Sequence, residues 1–469
     1  MTYEKKWRGF AALVPVVAMS FMDQTILPVA LPTIQIELGA TSTELQWCVN
    51  AYMLAIAVFV LVSGKLSDQI GHKNALLYGI TGFAFFSALC GLSVNIWMLI
   101  LARGCQGLSA AFMFPAQTAM IAKTFPQAVR GRATGLIVSI GSLFMIVAPF
   151  IGGYLTESAS WRWIFWINLP IAAIGLWMIR SFLPNCESSK AKIDRLGFLY
   201  FFFGATATTL IFMQAPVWGW ISFETLALVI IAPIALTLLL IREKKTKHPF
   251  LDLSLFKLPV YTAINISIVI VQFILMVTVF QTIYFQEILG YSPIQTGTII
   301  AASSFPIIFM APIAGFLSDR LSPKWPMSIG FSCLIGSFLY LSIFSTPHVI
   351  GLIAALTIFG MGIPLIFTPS YSSAISSVPK EKTGVAMGMI LTLRYLGGTV
   401  GLALIHLFVG VVQERKTSVE GARDATIASF SAIHFGLACL MAIAFFLSFF
   451  LHSRKSKHQL PSSPAEGWD

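Results

Sequence analysis

The sequence predicts an all-α polytopic membrane protein of fourteen transmembrane helices, arranged as two six-helix halves with two further helices inserted between them. Three observations carry that prediction. Of 469 residues, 57% are hydrophobic and only 10% charged, and the mean hydropathy is +0.83, a balance foreign to soluble domains. Fourteen apolar runs are each long enough to cross a hydrocarbon core of roughly 30 Å. A loop motif at Gly64 returns at Gly315, an offset of 251 residues, so the chain repeats itself.

The runs lie at 10–31, 45–64, 75–94, 96–120, 133–156, 162–183, 196–214, 222–241, 260–285, 295–317, 326–345, 348–372, 384–412 and 428–451. An even number puts both termini on one side. Of the 30 Lys and Arg, 24 fall on the side of Lys5, Lys6 and Arg8, four fall opposite (Arg162, Arg415, Lys416, Arg423) and two lie within spans (Arg103, Arg394). That bias makes the first side cytosolic and the protein a multi-pass component of the cytoplasmic membrane. The net charge of +11 therefore reads as a topogenic signal, with basic runs such as Arg242 to Lys247 near lipid headgroups, and not as a nucleic-acid surface. The division expected is 1–190 for the first half, 191–247 for the inserted pair, 248–455 for the second half and 456–469 for a cytosolic tail.

The six cysteines show no CxxC spacing and no clustering with His, so no metal or cofactor is expected. Cys48 and Cys90 both approach the outer face, which leaves a disulfide open. The absence of HExxH, GxSxG and P-loop patterns, together with short loops, argues against an enzyme. Trp47, Trp97, Trp161, Trp218 and Trp220 fall at outer ends and Trp7 and Trp325 at inner ends, as an interfacial belt requires.

The first helix is expected to end at Pro32 and carries Asp23 at membrane depth, where a carboxylate costs roughly 2.5–3.5 kcal/mol on insertion scales and faces a cavity or a partner. At 1.5 Å per residue Asp23 lies ~20 Å from the cytosolic end, and Arg103, entering in the fourth helix from the opposite face, reaches the same level ~10 Å deep. The pair is expected either to titrate protons beside a substrate cavity or to act as a static tie between two helices. The second helix ends in GKLSDQIGHK, where Gly64 and Gly71 allow close approach and tight turning, Asp68 can pair with basic groups or a helix N-terminus, and Lys73 follows.

This loop resembles the cytoplasmic signature of the major facilitator superfamily, with Gln69 and His72 standing where that family more often has Arg. ILARGCQGLSAA around Arg103 resembles the family's fourth-helix pattern, and FPQAVRGRATG another of its cytosolic loops. The fifth helix matches the antiporter motif at Gly135, Pro149, Gly152 and Gly153 but has Phe144 and Ala148 for two glycines. WRWIFWINLP from Trp161 resembles the fourteen-span drug:proton antiporter branch of multidrug efflux type. The resemblance covers roughly residues 10 to 450 and implies the major facilitator fold, with the Gly64 loop latching the halves in one access state.

The two inserted helices carry no intramembrane charge and are expected to be structural. In the second half GFLSDRLSPK brings Asp319, Arg320 and Lys324 to a repeat of the gating loop, and the fifth helix from Thr134 returns from Thr383 at an offset of 249 residues. Arg103 has no counterpart there, Leu356 lying near its place. Asn265, Gln272 and Met276 fall on one face of the ninth helix, expected to line the cavity or to bond a neighbouring helix. Arg394, near the midplane and inside RYLGGTVG, is expected to meet an anionic substrate group or to hold the closed core together. His406 and His434 read as packing or interfacial residues, and Glu157, Glu224 and Glu287 as solvated.

These readings converge on a secondary transporter exchanging protons for an amphipathic organic compound, drug or lipid-like, by alternating access. Its expected partners are protons, that substrate and the lipid bilayer, with no nucleic acid; a periplasmic adaptor protein stays open. Proton-coupled uptake and a non-transporting membrane sensor are the alternatives.

Overall fold

The computed structural model describes residues 3–125, 127–185, 194–246, 249–344, 346, 348–379, 382–420 and 422–449. Within these the chain is helical throughout, because a lipid core leaves the backbone no water to bond and a helix satisfies every N–H and C=O within one segment. Fourteen helices are long and apolar enough to cross a membrane: α1 (Trp7–Leu38), α2 (Ser42–Ile70), α3 (His72–Gly91), α4 (Ile96–Ile121), α5 (Ile140–Ser158), α6 (Trp163–Phe182), α7 (Arg195–Trp218), α8 (Phe223–Lys245), α9 (Pro259–Glu287), α10 (Pro293–Ser318), α11 (Lys324–Ile343), α12 (Val349–Ala374), α13 (Val385–Val412) and α14 (Arg423–Phe446). The tail at 456–469 and the basic residues Lys190, Lys192, Arg454 and Lys457 lie outside the described residues.

Helix starts follow side-chain capping chemistry. Thr41 and Ser292 form capping boxes with Glu44 and Gln295, and Asn95, Asp194 and Ser222 each accept a backbone N–H of the first turn. Asp194 is desolvated, which pushes its carboxyl upward, but hydrogen bonds from Arg242 and from the Gly197 N–H outweigh this and hold it below the usual carboxylate range.

Three helices differ from the sequence reading. The first continues through Pro28 and Pro32 to Leu38: a proline removes one ladder bond, and a membrane helix retains the rest because lipid offers its backbone no alternative partner. The ninth is broken at Met276, whose N–H turns back to Phe273 and Ile274 carbonyls, so Asn265, Gln272 and Met276 do not share one continuous helical face. The tenth is broken at Phe305 and Pro306, the latter having no N–H to give.

Packing follows the repeat. In the first half α1 lies along α5, α2 along α4 and α3 on α4; in the second α9 lies along α13, α10 on α12 and α11 on α12 and α14. The halves meet along two seams, α2 with α13 and α5 with the first part of α10, the second seam continued by the last part of α9 against α1, whereas the part of α10 after Pro306 packs chiefly on α12. The inserted α7 covers the first seam by resting on both α13 and α2, with α8 against it.

The two ends of the bundle differ. At the end bearing Trp161, hydrogen bonds cross the seams: Gln286 Nε2 donates to the Val29 carbonyl at 2.8 Å, the Ile294 N–H to Glu157 Oε2 at 3.0 Å, and Gln46 Nε2 and Thr43 Oγ1 bond the His406 ring at 2.7 and 3.0 Å. At the end bearing Gly71, Lys65 Nζ donates to the Pro249 carbonyl at 3.1 Å. Trp161 itself is fully buried, its indole N–H on Glu37 at 2.7 Å and its ring 4.4 Å from the Arg162 guanidinium. It is a packed corner of the fold and not the interfacial anchor expected, and Trp47 is buried as well; Trp7, Trp97, Trp218, Trp220 and Trp325 are exposed.

Candidate functional site

Asp23 and Arg103 meet inside the first half, 2% and 1% exposed. Arg103 Nη1 donates to Asp23 Oδ1 at 2.9 Å and Oδ2 at 2.7 Å, and its Nε to the Cys48 carbonyl at 3.1 Å. Gln106, one turn along α4, accepts from Arg103 Nη1 at 2.6 Å and donates to Asp23 Oδ1 at 3.3 Å. The guanidinium carbon lies 4.2 Å from the Tyr52 ring centroid, a cation–π contact in a dry site. One glycine makes the approach of α2 to α4 this close, since a Cβ on Gly107 would overlap the Tyr52 carbonyl. The Tyr52 hydroxyl is buried and makes no hydrogen bond of normal geometry.

The second half supplies a different cluster. Arg394 is half-buried, with Nε donating to Gln272 Oε1 at 2.7 Å and Nη1 to the Tyr371 hydroxyl at 3.3 Å. Its guanidinium carbon sits 5.1 Å from the Phe367 ring and 5.7 Å from Tyr395, and Tyr395 contacts Phe114 of α4 across the halves. Of the cavity residues expected on α9, Gln272 thus joins Arg394. Asn265 instead donates to its own helix at the Tyr261 carbonyl, its Oδ1 left buried without a partner, and Met276 marks the helix break.

The gating loops are partly as expected. Gly71 joins α2 to α3 at φ 85° and ψ 133°, a conformation that favours glycine. Lys73 Nζ bonds the Arg180 and Leu183 carbonyls at 3.1 and 2.7 Å, closing the end of α6. Asp68 pairs with His72 of the same loop at 3.6 Å. Gly64 does not serve close approach here, since a Cβ would meet only Pro115 at 3.6 Å, an ordinary contact. In the repeat, Ser322 stands at the position of Gly71 with φ 116° and ψ 144°, while Arg320 stacks on Phe316 at 4.4 Å; the Asp319 side chain lies outside the described residues.

The sequence profile described as the Major Facilitator Superfamily matches residues 13–402. The chain belongs to that superfamily. It is similar to the multidrug resistance protein Stp of Mycobacterium tuberculosis, 32% identical over 82% of this chain and 73% of that one, and to the tetracenomycin C resistance and export protein of Streptomyces glaucescens, 28% identical over 86% and 76%. Among solved structures it matches the inward-facing, unoccupied form of a bacterial homologue of the human lysosomal transporter Spinster, with a TM-score of 0.70 at 16% identity over 96% of this chain and 98% of that one. As a multi-pass transporter of this superfamily the protein is not an enzyme, and among the described residues no three His, Cys, Asp or Glu gather as a metal site.

Sequence reasoning overlooked several parts of this superfamily member. Gln106 was legible only as a motif letter, though a polar residue one turn from Arg103 inside an apolar helix is a signal. Gly153 was legible only as a motif letter and Gly297 not at all: a Cβ on Gly153 would overlap the Pro293 carbonyl of α10, and one on Gly297 the Pro149 carbonyl of α5, so they let the two halves touch. Cys48 and Cys90 are buried free thiols, not a disulfide. His434 is a packing residue, one of the two readings expected for it, its Nδ1–H donating to the Phe430 carbonyl at 2.7 Å and its Nε2 accepting from Gln281 at 2.9 Å, the neutral ring form. An apolar groove of about 360 Å³ beside Leu66, Tyr78 and Phe112 opens between α2, α3 and α4, away from both charged clusters.

Proposed function

We propose that the protein is a proton-coupled secondary transporter that exports amphipathic organic compounds across the cytoplasmic membrane by alternating access. The observation that carries this reading is the dry Asp23–Arg103–Gln106 cluster, on whose helix α4 Phe114 meets Tyr395 of the opposite half. A guanidinium beside a carboxylate favours its ionised form, and burial without that partner favours the neutral acid; making and breaking the pair therefore ties proton uptake to conformation. Export as the direction rests on the resistance and export relatives.

The charge bias supports a cytosolic position for the Gly71 end and both termini. The bonds across the Trp161 end and the turning of α10 away from α5 after Pro306 then support a cavity open to the cytosol, between moving halves 1–190 and 248–455 with 191–247 covering one seam. The loops carrying Gly64, Asp68, Gly71, Lys73, Asp319 and Arg320 act as the cytosolic gate, and among the described residues the charge partner within reach of Asp68 is His72 of its own loop. Asp68→Asn slows the access switch and leaves substrate affinity unchanged.

A second reading, proton-coupled uptake, is favoured by one observation: Arg394 faces an amide and not an acid. An anion held there and a proton on Asp23 attract each other, and ligands that strengthen each other's binding travel together. Reconstituted vesicles test both. An exporter discharges substrate against an imposed proton gradient and Asp23→Asn abolishes the coupling; accumulation in the direction of proton flow selects uptake, and wild-type coupling in Asp23→Asn removes Asp23 from the mechanism.

A further inference from the structure

The two halves treat their central arginine differently, and the repeat makes the difference readable. At the offset of 249 residues that relates Thr134 to Thr383, Asp23 falls on Gln272. In the first half the arginine at this level meets a carboxylate; in the second, Arg394 meets the amide that stands in the carboxylate's place. Arg394 comes from α13, the fifth helix of its half, and Arg103 from α4, the fourth, so the two arginines are not repeats of one another; they meet the same position of the first helix in each half, and only the first half has a carboxylate there. Among the described residues no Asp or Glu pairs with Arg394.

The surroundings of Arg394 suit a ligand. Five N–H groups belong to a guanidinium, and among the described residues two are used, on Gln272 and Tyr371. Arg103 is sealed at 1% exposure, whereas Arg394 keeps partial exposure. Phe367 and Tyr371, their rings nearly parallel at 18°, and Tyr395 form an aromatic wall beside the charge. A cation at membrane depth is retained where it has a partner or a pathway, and among the described residues no anion pairs with this one.

We propose that Arg394 is the recognition site for the anionic head of the substrate, which selects amphiphiles carrying a carboxylate, sulfonate or phosphate next to an aromatic or other apolar body. The guanidinium takes the oxygens through the N–H groups left free, and Phe367, Tyr371 and Tyr395 take the apolar part. This rests on reading the chain as a transporter of amphiphiles but holds for either direction of movement.

The test uses the full-length protein in phosphatidylcholine nanodiscs and three probes that share a naphthalene body: naphthalene-2-sulfonate, naphthalene-2-sulfonamide and 2-naphthyltrimethylammonium. Binding is measured by equilibrium dialysis, with empty nanodiscs subtracted. The wild type is expected to bind the sulfonate about tenfold or more tightly than the neutral sulfonamide, as loss of a charged hydrogen-bonding group implies, and the cation most weakly. Arg394→Gln removes the preference. Gln272→Glu, which restores the carboxylate of the first half while keeping Arg394, removes it too and decides the matter if Arg394→Gln does not fold. Equal binding of the three probes by the wild type, or a preference for sulfonate that survives either substitution in folded protein, overturns the proposal. Proton coupling with no head-group preference sinks this inference alone; a head-group preference with no proton-driven movement sinks the coupling scheme alone.

Discussion

At the residue scale the energetics turn on how dry the Asp23–Arg103 pair is. Both side chains are at most 2% exposed, so neither regains water when the other is removed. Breaking a buried pair by deleting one partner costs about 3–5 kcal/mol, while removing both charges together can be nearly neutral. Arg103→Ala is therefore expected to lower thermal stability strongly, and Asp23→Asn in the same background to recover part of the loss. Proton-driven transport should vanish in either single variant and fall no further in the double, because groups acting as a unit are not additive. Melting curves in detergent and vesicle transport for the two singles and the double read this out. A double variant less stable than Arg103→Ala, with transport losses that simply multiply, shows two independent residues.

At the element scale the repeated gate loop stores strain in one copy. Gly71 and Ser322 adopt nearly the same backbone, φ 85° and 116°, but only the first is glycine, and Ser322 is the one non-glycine residue of positive φ among those described. A side chain in this region costs about 1–3 kcal/mol, and glycine returns about 0.5–1 kcal/mol of that as extra freedom of the unfolded chain. Ser322→Gly is thus expected to stabilise the protein by about 1 kcal/mol, and Gly71→Ser to destabilise it by about the same. Calorimetry in detergent checks the pair; a Ser322→Gly protein that melts no higher than wild type contradicts the strain. Loop strain of this kind was not legible in the sequence, although the repeat was, because a one-letter difference between copies does not say whether the backbone moved with it. Long apolar runs were legible: each of the fourteen spans lies where hydropathy put it. The Asp23–Arg103 contact was legible as well, since depth along two helices fixes a common level. The break at Met276 was not, having no proline to announce it, and the burial of Trp161 depends on Glu37, which lies 124 residues away in sequence.

At the scale of the whole molecule, transport requires that the seam at the Trp161 end open while the Gly71 end closes, and the two ends are built unequally. Backbone meets backbone where Gly153 faces the Pro293 carbonyl and Gly297 the Pro149 carbonyl, contacts with no flexible side chain to yield. At Gly388 a Cβ would meet only the tip of the Leu61 side chain, 2.8 Å away, which can rotate aside. A wedge at Gly153 therefore penalises the sealed state alone, and a two-state equilibrium shifts by just that difference. Overpacking costs typically 1–3 kcal/mol, equivalent to about 5- to 150-fold in population. Gly153→Val is expected to expose the Trp161 end. In a background without native cysteines, Gln286→Cys reports on that seam because wild-type Gln286 bonds Val29 across it. Its labelling by a membrane-impermeant maleimide applied from the Trp161 side should rise at least severalfold with Gly153→Val, transport should fall, and Gly388→Val should change labelling little. Unchanged labelling in a folded Gly153→Val protein means that this seam does not hold the sealed state, and the closure must then be assigned to the other seam, where Thr43 and Gln46 meet His406.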